Sequence, residues 1–223
     1  VYKTAIEALP RRRGGVVMLN EHYRSHPLII GFSNWHIYGH RLKLMKTSEG
    51  RNSLPFADGV YAVPVLGKAE RHEGSWRNRP EADAVVNKIR ELREGDARSR
   101  SIGVVTSFRA QKELLIDLLT AANLATGILV DTAHGFQGDE RDVMLFSPVV
   151  AKGISPGTSR WAESPPNLIN VALTRAREIL FVVADFDYLK QQDGILRKLA
   201  LYCDVISLLR NDSPPELVLF SLL

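Results

Sequence analysis

Four short, dense apolar runs dominate the second half of this sequence: Ile102 to Val105, Ile128–Val130, Val143–Phe146 and Ile179–Val183. Each is bounded by polar or turn residues, and none shows the alternation of a strand with one wet face. Runs of this kind suit strands covered on both sides, which is the signature of a parallel sheet. Parallel strands need long crossovers, and the sequence supplies helical ones. Pro80 and Glu81 suit a first helical turn, Val85, Ile89 and Leu92 recur on one face, and Gly95 offers a stop. A second helix is predicted over Gln111–Ala122, with Leu115, Leu118 and Leu119 turned inward. Repeated strand-to-helix cycles of this size predict an α/β domain of three layers, with a mostly parallel central sheet and right-handed crossovers.

The remaining segments are arranged around that centre. Residues 1–15 read as a connector feeding a short strand, Val16–Leu19. After Pro27, the spacing of Leu28, Ile29, Ile30, Phe32 and Trp35 predicts a helix that ends in the basic stretch from Gly39 to Lys46. Gly50–Asp58 reads as loop, Val60–Leu66 as a short strand, and the stretch from there to Arg79 as polar loop. Lys152–Pro166, rich in Gly, Ser and Pro, is an excursion away from the sheet. The last helix, Ile195–Leu209, buries Leu196, Leu199, Cys203 and Ile206. One domain over residues 16–210 is therefore expected, with residues 211–223 opening a further element on the apolar run Leu217–Phe220.

Composition closes off several classes. With 223 residues, 45% hydrophobic and 24% charged, the chain has the balance of a globular domain with one core. No stretch of about 18 consecutive apolar residues is present, so no membrane partner is expected. The opening Val1-Tyr2-Lys3 has no leader character, and the cytoplasm is the expected compartment. The single Cys203 excludes an internal disulfide and a cysteine zinc site. His22 and His26 stand four apart, but Pro27 disfavours a helix across them and no third ligand is evident, so no metal is assigned to this chain. The formal charge of +4 permits a polyanionic partner. Its clusters, Arg11-Arg12-Arg13 and the arginines at 71, 77, 79, 98 and 100, read otherwise as solvated surface.

Ligands of open parallel sheets lie beyond the carboxyl ends of strands. Three polar clusters fall at such ends or in the loops beside them: Thr106-Ser107-Phe108-Arg109, the segment Asp131 to Glu140, and Asn170 to Arg177. A fourth, Glu21 to Pro27, follows the first short strand. These clusters resemble, in order, the motifs of superfamily 1B helicases of the Upf1-like group. The matching pieces are Tyr23-Arg24-Ser25-His26-Pro27, then Thr106-Ser107-Phe108 with Gln111, Phe136-Gln137-Gly138-Asp139-Glu140, and Asn170-Val171-Ala172-Leu173-Thr174-Arg175-Ala176-Arg177. Asn78-Arg79-Pro80-Glu81-Ala82 resembles that group's asparagine-x-x-glutamate-alanine helix start. The likeness runs from about Leu19 to Leu189, and it implies a RecA-like domain, the second motor lobe of an ATP-dependent helicase.

The chemistry of these residues agrees with that implication. A transferring phosphoryl group gathers charge on its outer oxygens, and a guanidinium offers a rigid fork of donors that stays charged. The resemblance assigns Arg24 and Arg175 to the γ-phosphate. It places Gln137, Gly138, Glu140 and Arg177 on the nucleotide, Glu140 accepting from the ribose. Arg175 and Arg177 are two apart, so on a helix they would face different ways and only one would be the finger. Thr106, Ser107, Phe108, Thr132 and His134 are expected along a nucleic-acid track, where small donors grip phosphates without reading sequence. Here Ser107 and Phe108 replace the group's usual proline and tyrosine, so a phenolic hydrogen bond is lost while the ring is kept.

No glycine-rich turn followed by lysine and serine or threonine is present, and Gly67-Lys68-Ala69 does not supply one. ATP and Mg²⁺ are therefore expected to be held mostly by an upstream RecA-like lobe of the same polypeptide. The isolated chain is expected to be inactive. The expected partner is single-stranded nucleic acid, with DNA favoured over RNA. The histidine-bearing form of the Thr132–Gly138 segment points by resemblance to a bacterial source. Ser213-Pro214-Pro215-Glu216 resembles the start of a nuclease-like domain found behind some such helicases. The alternative reading is a non-enzymatic nucleic-acid clamp whose ATP site has degenerated.

Overall fold

A computed structural model describes residues 20–46, 58–136, 138–164 and 166–210. The expected strand Val16–Leu19, the connector, most of the Gly50–Asp58 loop, Gln137 and everything past Arg210 lie outside the described residues.

The centre is a five-stranded sheet in the order β3-β9-β8-β6-β7, formed by β3 (Gly59–Pro64), β6 (Ile102–Thr106), β7 (Ile128–Thr132), β8 (Arg141–Ser147) and β9 (Ala176–Ala184). Every pairing in it is parallel. The domain is thus the three-layer α/β fold that the apolar runs predict, consistent with the RecA-like domain that the resemblance implies. β6 is buried along its whole length, and β8 and β9 are buried from Val143 to Ser147 and from Ile179 to Ala184. On one face lie α2 (Arg79–Glu94) and α3 (Arg109–Ala121), which pack Val85, Ile89, Leu115 and Leu119 against Val104, Leu145 and Phe181. On the other lie α1 (Pro27–His36), α5 (Pro166–Thr174) and α7 (Ile195–Arg210), which bury Phe32, Leu173 and Leu196 against Phe146, Leu180 and Val182.

Local chemistry explains the helix boundaries. The Asn78 side chain accepts from the Glu81 N–H at the start of α2, and Gly95 ends that helix. α3 begins at Arg109, two residues before the predicted start, because the chain turns directly off β6. The Lys152–Pro166 excursion carries a short helix, α4 (Pro156–Ala162), capped by Ser155. Its Glu163 then reaches the start of α7, where it accepts from the Leu196 N–H at 3.2 Å. Cys203 is buried in α7, and burial pushes its thiol well above the ordinary value, so it is a packing residue. The short α6 (Phe186–Lys190) is capped by Asp185.

Two expectations are corrected. The polar loop before Arg79 is an antiparallel hairpin, β4 (Glu70–His72) with β5 (Ser75–Arg77), pairing Arg71 with Trp76. Glu73 and Gly74 both have positive φ, the turn geometry whose twist matches a two-stranded ribbon. Arg100 is not solvated surface: it is 7% exposed and ion-paired to Asp58 at 3.1 Å and Glu178 at 3.3 Å. Arg77 and Arg79 are surface ion pairs with Glu70 and Asp83. A minor parallel pair, β1 (Glu21–His22) with β2 (Lys43–Leu44), stands apart from the sheet.

Candidate nucleotide and nucleic-acid edges

The four polar clusters do not gather at one end of the sheet. Thr106 closes β6 and Ser107 and Phe108 follow it, and Thr132 closes β7 with His134 just beyond, all at the carboxyl edge. Glu140 directly precedes β8, Arg175 directly precedes β9 and Arg177 lies at its start, all at the amino edge. Of the three clusters expected at carboxyl ends or in the loops beside them, Thr106–Arg109 and the start of Asp131–Glu140 are there, whereas Asn170–Arg177 runs into the amino end of β9 and is corrected accordingly. Arg175 lies in the turn between α5 and β9 and Arg177 in the strand, so the helical argument for telling them apart does not apply.

Arg24 reaches the amino edge because its loop is fastened there. The His26 N–H donates to the Arg177 carbonyl at 2.8 Å, and Ser25 Oγ donates to the Thr174 carbonyl at 3.4 Å. Lys46 Nζ bridges the carbonyls of Arg24 and Arg177 at 3.3 and 2.9 Å. Within the loop, His22 Nε2 accepts from the Ser25 N–H at 3.0 Å and His26 Nδ1 from the Leu28 N–H at 3.2 Å. Burial, foremost, lowers the pKa of both imidazoles, which keeps those nitrogens free to accept.

At the cluster itself, Arg24 Nε pairs with Glu140 Oε1 at 2.7 Å, and Arg177 Nε meets Oε2 of the same carboxylate at 3.3 Å. Arg177 also approaches Asp142 at 3.6 Å. Arg175 is different: its Nε is buried and has no hydrogen-bond partner. Burial first, and the positive charge of Arg24 second, lower its pKa from the ordinary arginine value, with Glu140 and Asp139 opposing. A buried guanidinium nitrogen without a partner is costly. Around Glu140 the amino edge therefore holds two arginines tied to that carboxylate, Arg24 and Arg177, and beside them Arg175 with an unmet donor.

At the carboxyl edge the residues divide by exposure. The Thr106 side chain is fully buried and its Oγ1 unpartnered, while its carbonyl accepts from the Ala133 N–H at 3.1 Å. Ser107 is half-exposed and His134 exposed. Thr132 Oγ1 accepts from the Gly135 N–H at 3.3 Å. Phe108 is 5% exposed, its ring tilted against Trp161 at 5.4 Å.

One segment, residues 133–140, joins the two edges. Because β7 and β8 run parallel, the chain must return from the carboxyl end of one to the amino end of the other, and the described residues of that return form no helix. Phe136, 1% exposed, anchors it against Gly103 of β6. A Cβ at Gly103 would stand 2.9 Å from the Phe136 ring and 2.7 Å from Met144 Sδ. Gly103→Ala is thus expected to displace Phe136 and lower stability by about 1–3 kcal/mol, the usual range for overpacking. Urea unfolding measures this, and an unchanged midpoint would mean that the ring has room to move. Gly138, with φ of 92°, takes a conformation that side chains rarely adopt.

Sequence reasoning missed a buried network behind the carboxyl edge. Glu81 is fully buried: Oε2 accepts from Ser147 Oγ at 2.7 Å and the Val149 N–H at 2.9 Å, and Oε1 from Asn78 Nδ2 at 2.9 Å. Gln111 joins it, donating to Ser147 Oγ at 3.0 Å and accepting from the Asn78 N–H at 2.8 Å. Burial raises the Glu81 pKa to about 7, against the pull of these donors. Val149 sits at φ of 67°, a strained setting for a β-branched residue, with its amide held by Glu81. The sequence signals for this network were the asparagine-x-x-glutamate spacing and Gln111 of the Thr106 motif, neither of which reports the burial. Among the described residues no group of three or more His, Cys, Asp or Glu is placed to hold a metal ion, and no helix is long and apolar enough to cross a membrane.

Residues 2–187 match the AAA_12 family, described as an AAA domain. The chain belongs to this family. The AAA_12 domain is similar to probable helicase senataxin of Homo sapiens, at 29% identity over 75% of this chain and 6% of that protein. It is similar to an uncharacterized ATP-dependent helicase, the MG140 homolog of Mycoplasma pneumoniae, at 24% identity over 93% of this chain and 20% of that protein. Mouse 5'-3' DNA helicase ZGRF1 is 28% identical over 78% of the chain and 9% of its own length. The chain thus spans a fifth or less of these relatives. The AAA_12 domain is a RecA-like domain homologous to superfamily 1 helicases of the Upf1-like group.

Proposed function

We propose that this domain is the second motor lobe of an ATP-dependent nucleic-acid helicase or translocase of the cytoplasm. The observation that carries the reading is Arg175, whose buried Nε lacks a partner on the same edge as Arg24 and Glu140. Two guanidinium groups close together repel one another until an anion enters, and the outer phosphate of a nucleoside triphosphate is such an anion. Arg24 and Arg175 serve as the γ-phosphate donors. Arg177 supports them from the strand, and Glu140, with Gln137 and Gly138 beside it, takes the ribose side. Mg²⁺ and the phosphate-cradling loop belong to an upstream RecA-like lobe joined through residues 1–15. Residues 16–210 form the present lobe, and residues 211–223 open a downstream element, in one version a nuclease-like domain.

On the opposite edge, Thr106, Ser107, Phe108, Thr132 and His134 carry the single-stranded track, DNA in preference to RNA. Hydrolysis opens and closes the cleft between the lobes, and the segment 133–140 relates one edge to the other. Catalysis by positioning needs both walls of that cleft, so this lobe alone turns over no ATP.

The test is ATP turnover by the full-length polypeptide with single-stranded DNA and RNA compared side by side. Stimulation by DNA above RNA is the expected outcome. Tight nucleic-acid binding with no turnover would replace the motor with the clamp reading. Absence of both would remove the nucleic-acid assignment altogether.

A further inference from the structure

Beside the start of α3, the β4–β5 hairpin and α4 enclose a cleft of about 380 Å³ lined chiefly by Arg71, Ser75, Trp76, Phe108, Thr158 and Trp161. Its walls are held by two independent attachments. Ser75 Oγ accepts from the Ala110 N–H at 3.3 Å, and Arg109 donates to the Glu73 carbonyl at 3.2 Å, which fix the hairpin on the helix start. Ser155 caps α4 from the other side. Phe108 forms the floor, Trp76 is half-buried against the core, and Trp161 stands 55% exposed on the rim. Such exposure of a large indole beside a second ring leaves apolar surface that packing within the domain does not use.

The dimensions and chemistry of the cleft select its occupant. Its volume lies at the low end for small-ligand sites, enough for one planar ring system. Aromatic faces supply stacking, and the few polar groups provide no set of donors that would read a base edge. Arg71, exposed on the rim, makes no ion pair with any described residue, so a cation stands free beside the rings. Ser107 and Phe108 connect the cleft directly to the carboxyl edge of the sheet.

We infer that this cleft is a base-stacking site: it takes one unpaired nucleobase of a single strand against Trp161 and Trp76, with Arg71 at the adjoining phosphate. The inference rests on the nucleic-acid reading above and adds to it Trp161, Trp76 and Arg71, which lie outside the motifs, beside Phe108 of the track. Stacking of this kind is tolerant of sequence, because every base has a π-face. It would hold one nucleotide while the rest of the strand shifts.

The experiment uses the full-length protein with a fluorescein-labelled oligothymidylate and, in parallel, an oligonucleotide carrying 5-iodouracil for photo-cross-linking. Trp161→Ala is expected to weaken binding by roughly 5- to 100-fold, the range measured for losing one stacked base. Trp161→Phe is expected to retain most of the affinity. Trp35→Ala, remote from the cleft, should change nothing. Arg71→Ala should lower the slope of log affinity against log salt by about one phosphate contact, which Trp161→Ala should not. Irradiation of the unmutated protein should attach the iodouracil to Trp161, Trp76 or Phe108, a readout that needs no variant to fold. Tight binding that Trp161→Ala leaves intact, with cross-links elsewhere, overturns the stacking site while leaving the motor lobe standing. No binding by the unmutated protein overturns the nucleic-acid reading beneath it.

Discussion

Replacing Arg175 by alanine in the full-length polypeptide is expected to reduce nucleic-acid-stimulated ATP turnover by about 10³-fold, the lower end of the range for losing an arginine finger. That corresponds to about 4 kcal/mol of transition-state stabilisation. Single-strand binding should change little, because Arg175 lies on the amino edge and the proposed track on the other. Arg175→Lys should recover only a small part of the turnover, since an ammonium lacks the planar fork of donors. A second measurement separates this role from a structural one. The native side chain buries a nitrogen without a partner and sits in the repulsive field of Arg24. Its removal should therefore leave the unfolding midpoint unchanged or slightly raised. Turnover within tenfold of the native level, or a large loss of stability, would take Arg175 out of the chemistry.

Glu81 should give the largest effect on stability. Glu81→Ala strands the Ser147 hydroxyl, the Val149 amide and the Asn78 amide in the interior, and releases the strained backbone at Val149. With each stranded group worth about 1–3 kcal/mol, a loss on the order of 3–5 kcal/mol is expected after relaxation. Glu81→Gln keeps an acceptor for Ser147 and Val149 but turns an NH₂ toward the Asn78 NH₂, and should cost about 1–2 kcal/mol. The pH dependence distinguishes the carboxyl from a mere space-filler. Its pKa is raised from 4.5 to about 7 in the folded protein, so between those values the native state holds the proton more tightly than the unfolded chain. The stabilising contribution of the neutral carboxyl is thus complete below the unfolded pKa and disappears as pH rises through about 7. Urea midpoints of the native protein minus those of Glu81→Gln should decline from pH 5 to pH 8. Parallel profiles would show that the carboxyl does not titrate in this range.

The sheet was legible in the sequence because its central strands are sheathed on both faces. Val143 to Phe146 and Ile179 to Val183 could be nothing but apolar, and they fall within two buried strands. The hairpin was not legible, since nothing in its apolar pattern reports it. Its turn rests on positive φ at Glu73 and Gly74, and its one aromatic, Trp76, looks isolated until Trp161 arrives from a segment far along the chain. Glu81 was hidden for a related reason. A glutamate in a first helical turn ordinarily faces water and complements the helix dipole. Its burial follows from Ser147 and Val149, which no local window contains. The candidate site was legible as a set of residues but not as a geometry. Motif order named Arg24, Glu140 and Arg175, whereas their meeting at the amino edge depends on the loop at Ser25 and His26 being pinned to Thr174 and Arg177.

The short return from β7 to β8 also limits how this protein can vary in length. A five-residue strand such as β6 covers about 17 Å, and the return must also pass two strand spacings of nearly 5 Å each. Residues 133–140 fully stretched reach about 27 Å, and the turn that brings the Phe136 N–H to the Thr132 carbonyl at 3.0 Å consumes part of that reach. The direct path is about 20 Å, so the slack is on the order of two residues' reach before the turn takes its share. Deleting two or three residues there would drag one rim of the sheet toward the other or unseat Phe136. Natural shortening of the domain should therefore spare the tether.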